Sequence, residues 1–270
     1  MATDALLNTY VSAVECLYRI QRGKSIRYVT LSNPELIPEP SRTHGPALIR
    51  ELSKLEQWPS DWETLRIQKS PSGVIIVQLN PFPAHTLPPE LIEPDIHQFN
   101  ILDLPFCRRM KSHAFLTELD GRSCYVKYAR FGFELRYVMR EIQAYRFLRE
   151  SNFTMIPKFL GYVYEEPGRI IGFLLEDVGG RHATFSDLAI CQAALGKLHE
   201  HIIHGDPNKY NILITDEGPK FIDLEESYKR LEDEREWKIK TAREMHSMHA
   251  LFLNCTGLGS PYEQDGEGYF

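Results

Sequence analysis

The 270-residue sequence predicts an α+β fold, and three observations support this class. First, segments with helical periodicity alternate with short segments rich in β-forming residues. Second, the Pro-rich stretch "NPFPAHTLPPELIEP" interrupts this pattern between residues 80 and 94. Third, Asp120-Gly121 lies between two β-rich segments, which is typical of a tight hairpin turn. A chain of this length can bury a sizeable core in one or two domains.

The first 80 residues are predicted to contain two helices followed by two strands. Apolar residues recur at helical spacing over residues 6–22, and Gly23 follows them as a helix stop. A second helix begins near Pro46, a residue suited to a first helical turn, and ends before Pro59. The segment "LRIQKSPSGVIIVQL" then predicts two strands around a Pro-Ser-Gly turn.

Beyond the Pro-rich stretch the predicted elements alternate regularly. The segment "AFLTELDGRSCYVKYAR" forms a hairpin, and "ELRYVMREIQAYRFLRE" forms a helix. Two strands joined by Pro167-Gly168 come next, followed by a helix from about Ser186 to His201. One long helix is predicted over residues 227–254, and the tail "GSPYEQDGEGYF" is expected to be mobile.

Composition and charge exclude several classes of protein. The net charge of −6 argues against a dedicated nucleic-acid binder, which needs clustered Lys and Arg. No apolar run is long enough to cross a membrane, and the N-terminus does not have the pattern of a secretory signal. Five cysteines without close pairing indicate reduced thiols. We therefore expect a cytoplasmic protein, with a nuclear location left open.

Polar side chains follow or precede short strands in the segment from residue 202 to 226. Asp206 and Asn211 lie on a loop that enters the apolar strand Ile212-Leu213-Ile214, and Asp223 ends the next strand. A hairpin between these strands brings Asn211 and Asp223 to one end of a two-stranded ribbon. Carboxylate and amide oxygens suit Mg²⁺, while Asp206 is free to accept a proton from a hydroxyl group. The alternative is structural, since Asp and Asn also favour turns.

The loop "HGDPNKYNILI" and the later "FIDLE" resemble the catalytic and metal-binding loops of the protein-kinase-like superfamily. The glycine between His204 and Asp206 and the Ile-Asp-x-Glu pattern are closer to its small-molecule branch, which includes the aminoglycoside phosphotransferases and choline kinases. Small atypical kinases also carry a His-Gly-Asp loop. The resemblance covers about residues 100–253 and implies a two-lobed fold that uses ATP and Mg²⁺.

The resemblance also assigns roles to single residues. It makes Asp206 the catalytic base, with Asn211 and Asp223 as Mg²⁺ ligands and His204 as a scaffold residue of the loop.

Lys127, at the end of the predicted hairpin, corresponds to the lysine that binds the α- and β-phosphates, and Glu141 to its helix partner. The segment Leu174-Leu175-Glu176-Asp177 resembles the hinge that contacts adenine, which places Glu176 at the nucleotide. Taken singly, Lys127 is better explained as a surface lysine at a strand end, and Glu141 is equally explained as a solvated helix charge.

The sequence departs from the family pattern where a glycine-rich phosphate loop is expected. The segment "RRMKSHAFL" contains no glycine, so Lys111 and Ser112 are the residues that can compensate there. Glu225 stands where protein kinases have glycine, and the short chain after Asp223 has no clear activation segment. The C-terminal lobe is therefore reduced.

These observations predict an N-terminal α+β extension, a surface linker and two kinase-like lobes. Their expected bounds are 1–80, 81–99, 100–178 and 179–270, respectively.

The expected function is ATP- and Mg²⁺-dependent phosphoryl transfer to a hydroxyl group of a small molecule. The partners are then a nucleotide and an acceptor, with no nucleic acid and no membrane, and a protein partner is left open. Three alternatives remain at this point: a pseudokinase-type scaffold that binds without turnover, an atypical kinase within a protein complex, and nucleotidyl transfer on the same fold.

Overall fold

The computed structural model describes residues 4–257 and 259–261. Over these residues the chain combines helices with several β-sheets, so the predicted α+β class is confirmed. Among the described residues, no helix is both long enough and apolar enough to cross a membrane. All five cysteines are free thiols, as the sequence predicted.

The N-terminal part is a five-stranded sheet covered by one helix. The strands lie in the order β1-β2-β3-β4-β5, with β3 and β4 parallel and the other neighbours antiparallel. The helix α1 connects the two parallel strands and packs against β1. The bounds are β1 Ala5–Val11, β2 Cys16–Arg22, β3 Ser25–Leu31, α1 Gly45–Leu52, β4 Thr64–Lys69 and β5 Ile75–Leu79.

The prediction of a helix over residues 6–22 is wrong, because this segment forms the β1–β2 hairpin. The Ser12 hydroxyl caps the turn by accepting hydrogen bonds from the backbone amides of Val14 and Glu15. Leu6 and Asn8 are buried alternately on β1, whereas β2 buries Tyr18, Arg19 and Ile20 in succession. Pairing of β2 with β3, to which sequence reasoning assigned no element, decides the conformation.

The other N-terminal predictions are confirmed with shifted ends. Helix α1 begins next to Pro46 and buries Leu48 and Leu52, but it stops at Leu52 rather than just before Pro59. The two strands around the Pro-Ser-Gly turn are β4 and β5.

The second sheet has six strands in the order β6-β10-β11-β9-β8-β7 and carries the helix α2 after β9. Only β6 is parallel to its neighbour. Asp120 and Gly121 have φ angles of 49° and 75°, which confirms the tight hairpin turn. The bounds are β6 Gln98–Asn100, β7 Arg108–Lys111, β8 Ala114–Leu119, β9 Arg122–Tyr128, α2 Leu135–Glu150, β10 Phe159–Glu166 and β11 Arg169–Glu176.

The Pro-rich segment between the two sheets is not a free surface linker. It has little regular structure, apart from a 3-10 turn at Pro89–Leu91 and the start of β6. However, Leu87 and Leu91 are buried, the Leu87 amide donates to Ile170 O at 2.7 Å, and Tyr162 Oη donates to Leu91 O at 2.8 Å. The surface position expected for this segment is therefore wrong at these residues, while the domain boundaries stay a prediction.

The C-terminal part combines two helices with two small sheets. One sheet has the order β12-β14-β15, and the other pairs β13 with β16. Helices α3 and α4 pack against each other beside them. The bounds are β12 Arg181–His182, α3 Leu188–Leu198, β13 Ile202–Ile203, β14 Ile212–Thr215, β15 Gly218–Phe221, β16 Tyr228–Lys229 and α4 Glu234–Leu253.

The last helix begins seven residues later than predicted. Residues 228–229 form β16 instead, and the Asp233 carboxylate caps α4 by accepting from the amides of Arg235 and Glu236. The predicted mobile tail spans residues 259–270, and its part beyond residue 261 lies outside the described residues.

Candidate functional site

A cavity of about 350 Å³ opens between the second sheet and the three-stranded sheet β12-β14-β15, a size suited to a small-molecule ligand. Its walls include five of the residues that sequence reasoning singled out: Lys111, Lys127, Glu176, Asn211 and Asp223. Three others lie elsewhere. Glu141 is buried behind Lys127, and Asp206 contacts Asn211 beside the cavity. Ser112 does not line the cavity.

The Lys127–Glu141 ion pair connects β9 with α2. The Lys127 Nζ lies 2.5 Å from Glu141 Oε2, and the Glu141 side chain is only 1% exposed. Glu141 faces the sheet because it lies on the buried side of α2 next to Ile142. Burial alone lowers the pKa of Lys127, but the carboxylates of Asp223 and Glu141 outweigh burial and raise it. Lys127 therefore carries a positive charge at physiological pH.

Asp223 is held by two lysines at once. Lys127 Nζ lies 2.7 Å from Oδ1, and Lys111 Nζ lies 2.5 Å from Oδ2. Burial raises the pKa of Asp223, but the two ammonium groups outweigh burial and lower it, so the carboxyl group is ionised. Its backbone is left-handed, with φ 64° and ψ 60°, which is uncommon for a residue other than glycine. Asp223 lies two residues after the end of β15.

Asp206 and Asn211 form a second hydrogen-bonded unit on the loop before β14. Asn211 Nδ2 donates to Asp206 O and to Asp206 Oδ2, both at 3.0 Å, and Asn208 Nδ2 donates to the same Oδ2 at 2.8 Å. Both donations use the Asn211 nitrogen, which leaves its carbonyl oxygen Oδ1 able to act as a ligand for a cation as far as the described residues are concerned. The Ile222 amide donates to Asn211 O at 3.0 Å, which ties this loop to the backbone next to Asp223.

His204 is a scaffold residue that also connects the two loops. Its Nδ1 accepts from the Asp206 amide at 3.3 Å, and its Nε2 lies 3.1 Å from Ile222 O. Burial lowers the pKa of His204, so the ring is neutral and Nε2 carries the proton that it donates to Ile222 O. The histidines at 199 and 201 have partners of their own, in Glu244 and Phe153, so the three do not form a metal site.

Glu244 on α4 is a site residue that sequence reasoning missed. Its carboxylate accepts from the amides of His204 and Gly205 at 3.1 and 2.6 Å, and from His199 Nε2 at 2.7 Å. Gly205 has φ 90°, and a Cβ there would lie 2.3 Å from Glu226 O, so only glycine fits. A signal was available in the sequence, because Glu244 shares the apolar helix face of Trp237.

Glu225 and His113 were also not given a role in advance. His113 lies on the turn between β7 and β8, and its Nε2 is 3.4 Å from Glu225 Oε2. Oxygen atoms of Glu141, Asp223 and Glu225 all lie within 4.8 Å of one another. Ser112, the second residue proposed to compensate for the missing glycine loop, contacts His113 Nδ1 at 3.4 Å instead of facing the described cavity.

The end of β11 forms the far wall of the cavity. The Glu176 amide donates to Lys158 O at 3.0 Å, and its carboxylate accepts from the Lys158 amide at 2.8 Å. This side chain is therefore fixed to the neighbouring backbone. The C-terminal segment supplies another part of the wall through Gly259 and Pro261, which sequence reasoning did not anticipate. It is attached to the Asp206 loop by the Lys209 Nζ, which donates to Asn254 O at 2.7 Å.

No protein-family model matches this sequence, and a search of curated proteins finds no match either. Function is therefore inferred from the residues and geometry of the site.

Proposed function

We propose that the chain is an ATP- and Mg²⁺-dependent phosphotransferase that acts on a hydroxyl group of a small molecule. The observation that carries this proposal is the charge cluster on the cavity wall, in which the Lys127 ammonium contacts both Glu141 and Asp223. Under this proposal the fold is protein-kinase-like. The second sheet with α2 is the N-terminal lobe, and the part after β11 is a reduced C-terminal lobe.

The cluster has the charges that phosphoryl transfer requires. Lys127 is held rigidly by its ion pairs and presents a fixed positive charge to a cavity, where it can bind the oxygens of a nucleotide phosphate. Phosphoryl transfer depends mainly on positioning and on neutralising negative charge. Glu176 lies at the opposite wall, in the place where an adenine would contact the backbone after β11.

The donor set fits Mg²⁺, which prefers oxygen ligands. Asp223 and the Oδ1 atom of Asn211 would hold the ion, and Glu225 and Glu141 supply further carboxylate oxygens close to Asp223. When bound, the ion would neutralise the charge of the nucleotide phosphates. The backbone hydrogen bond from the Ile222 amide to Asn211 O joins the two segments that carry these ligands.

Asp206 is the residue that would accept the proton of the acceptor hydroxyl group. The amides of Asn208 and Asn211 both bind Oδ2, so they fix the carboxylate and leave Oδ1 for the acceptor. Free thiols at all five cysteines support a location in the reducing cytoplasm.

A second candidate function is nucleotide binding without turnover. Two observations favour it: the β7–β8 turn has no glycine for close approach to phosphates, and both oxygens of Asp223 are engaged by lysines. In that case the protein would bind the nucleotide as a signal for a protein partner. An atypical kinase acting within a complex and a nucleotidyl transferase would use the same cavity.

A thermal-shift titration with ATP tests the proposed function. Because a ligand that binds only the folded state raises the melting temperature, ATP with Mg²⁺ is expected to stabilise the wild type. Asp223→Asn is expected to lose this Mg²⁺-dependent shift, and the matched control Asp216→Asn, at the exposed far end of the β14–β15 hairpin, is expected to keep it. A full shift in Asp223→Asn would remove the metal role of Asp223, and no shift in the wild type would reject the nucleotide site.

A further inference from the structure

The β7–β8 hairpin is held against the Asp223 segment by two pairs of charged or polar side chains. Lys111, at the end of β7, contacts Asp223 Oδ2, and His113 on the turn contacts Glu225. These partners are 112 residues apart in the chain. The β7–β8 hairpin therefore lies over the charge cluster, at the position where the resemblance places a glycine-rich phosphate-binding loop.

In this arrangement a lysine occupies the coordination position on Asp223. One carboxylate oxygen contacts the Lys127 ammonium and the other contacts the Lys111 ammonium. A divalent cation on Asp223 needs one of these oxygens, and the charges of the two lysines repel it. While both lysines contact Asp223, the site is therefore expected to bind a divalent cation alone only weakly.

Lys111 is the lysine that can leave. Its side chain is 30% exposed and lies on the cavity wall, whereas the Lys127 side chain is 10% exposed and is also bound by Glu141. A lysine is a mobile point charge on a flexible stem, so its ammonium can move from a carboxylate to a nearby phosphate without moving the strand.

We propose that Lys111 binds the nucleotide phosphates in place of a glycine-rich loop, and that in the nucleotide-free protein its ammonium occupies the metal position on Asp223. Nucleotide and Mg²⁺ then bind together. The Lys111 ammonium would move from Asp223 Oδ2 to a phosphate oxygen, and Oδ2 would then be available to the cation. This inference rests on the proposed function and adds an ordered exchange of cations at the same site.

Lys111→Met tests the exchange, because it removes the charge and keeps the apolar stem. Isothermal titration calorimetry measures two affinities for each protein: Mg²⁺ alone, and a non-hydrolysable ATP analogue in the presence of Mg²⁺. The variant is expected to bind Mg²⁺ alone about tenfold more tightly and the Mg²⁺–analogue complex about tenfold more weakly than the wild type. Arg109→Met, which removes a charge from the same hairpin outside the described cavity wall, is the matched control and is expected to change neither affinity.

Effects of opposite sign distinguish the exchange from a structural role. If Lys111→Met leaves the affinity for the Mg²⁺–analogue complex unchanged, or weakens both affinities equally, the inference is overturned while the proposed function stands. If the wild type binds neither ligand, the proposed function and the inference fail together. Lys111→Arg keeps the positive charge and is expected to keep the wild-type affinities for Mg²⁺ alone and for the Mg²⁺–analogue complex. A change that appears only in Lys111→Met is then due to the missing charge and not to a folding defect.

Discussion

Two carboxylates in this protein are each bound by two cationic side chains, but their surroundings differ. Glu165 on β10 is fully buried. Its Oε1 accepts from Arg19 Nε at 2.6 Å, and its Oε2 accepts from Arg169 at 2.9 Å and from Tyr28 Oη at 2.6 Å. We call these four residues the closed cluster. It connects the N-terminal sheet to the second sheet, and its cations have further partners, such as Asn8 for Arg19.

Asp223 is the centre of what we call the open cluster, formed with Lys111, Lys127 and Glu141. Its ion pairs are as short as those of Glu165, but one side faces a cavity of about 350 Å³ and one partner is partly exposed. The comparison shows that short buried ion pairs alone do not identify a functional site. A neighbouring cavity and a partly exposed partner, Lys111, distinguish the open cluster from the closed one.

The largest expected effect comes from breaking the closed cluster. Glu165→Gln removes the carboxylate that pairs with both buried arginines. Arg19 then keeps its hydrogen bond to Asn8, and Arg169 keeps its longer ion pairs with Glu63 and Glu166. This is expected to lower the free energy of unfolding by about 3–5 kcal/mol. Urea denaturation measures this loss. Mg²⁺-dependent ATP binding is expected to persist at temperatures where the variant is folded, because the cavity is not involved.

Glu63→Gln is the matched control, since Glu63 also contacts Arg169, at 3.3 Å, but is 43% exposed. It is expected to cost less than about 1 kcal/mol. An equal loss in both variants would mean that burial of Glu165 has no special importance, and the distinction between the two clusters would lose its energetic basis.

Glu244 is intermediate between the two clusters, because its carboxylate binds the amides of His204 and Gly205 on the Asp206 loop but does not line the cavity. Burial raises the pKa of Glu244, but the hydrogen bonds from His199 and from the Gly205 amide outweigh burial and lower it. A lowered pKa stabilises the folded state above the ordinary glutamate pKa, and this contribution is lost as the pH falls through the lowered value. Glu244→Gln is therefore expected to cost about 1–3 kcal/mol at pH 7.

The difference in unfolding free energy between the wild type and Glu244→Gln is expected to shrink as the pH is lowered below about 4.5. Denaturation at several pH values measures this trend. Glu236→Gln, on the exposed face of the same helix, is the control and is expected to show a small difference. A difference that grows toward low pH would contradict the lowered pKa of Glu244.

The elements with strong local signals could be predicted from the sequence. The turn at Asp120-Gly121 defines its hairpin, and the apolar face of α2 follows from residues such as Val138 and Ile142. Several polar residues of the cavity wall were also identified, Asn211 and Asp223 from their places at the ends of predicted strands and Lys127 from the family resemblance. Their roles stay predictions.

What could not be predicted depends on contacts between distant parts of the chain. Residues 6–22 have apolar positions that fit a helix, and only pairing with β3 makes them a hairpin. Arg19 and Glu165 are 146 residues apart, so no local pattern indicates that they meet. Lys111 was predicted to compensate for the missing glycine-rich loop, but its contact with Asp223 depends on how the β7–β8 hairpin folds over the site.

The most direct test of the central claim is a calorimetric titration of the wild type with ATP, in the presence and in the absence of Mg²⁺. If the open cluster is a nucleotide site, ATP is expected to bind at least about tenfold more tightly with Mg²⁺ than without it, because the ion and Lys111 share the phosphate charge. If no binding is detected in either condition, the open cluster is a structural ion-pair network like the closed one, and the proposed function is wrong.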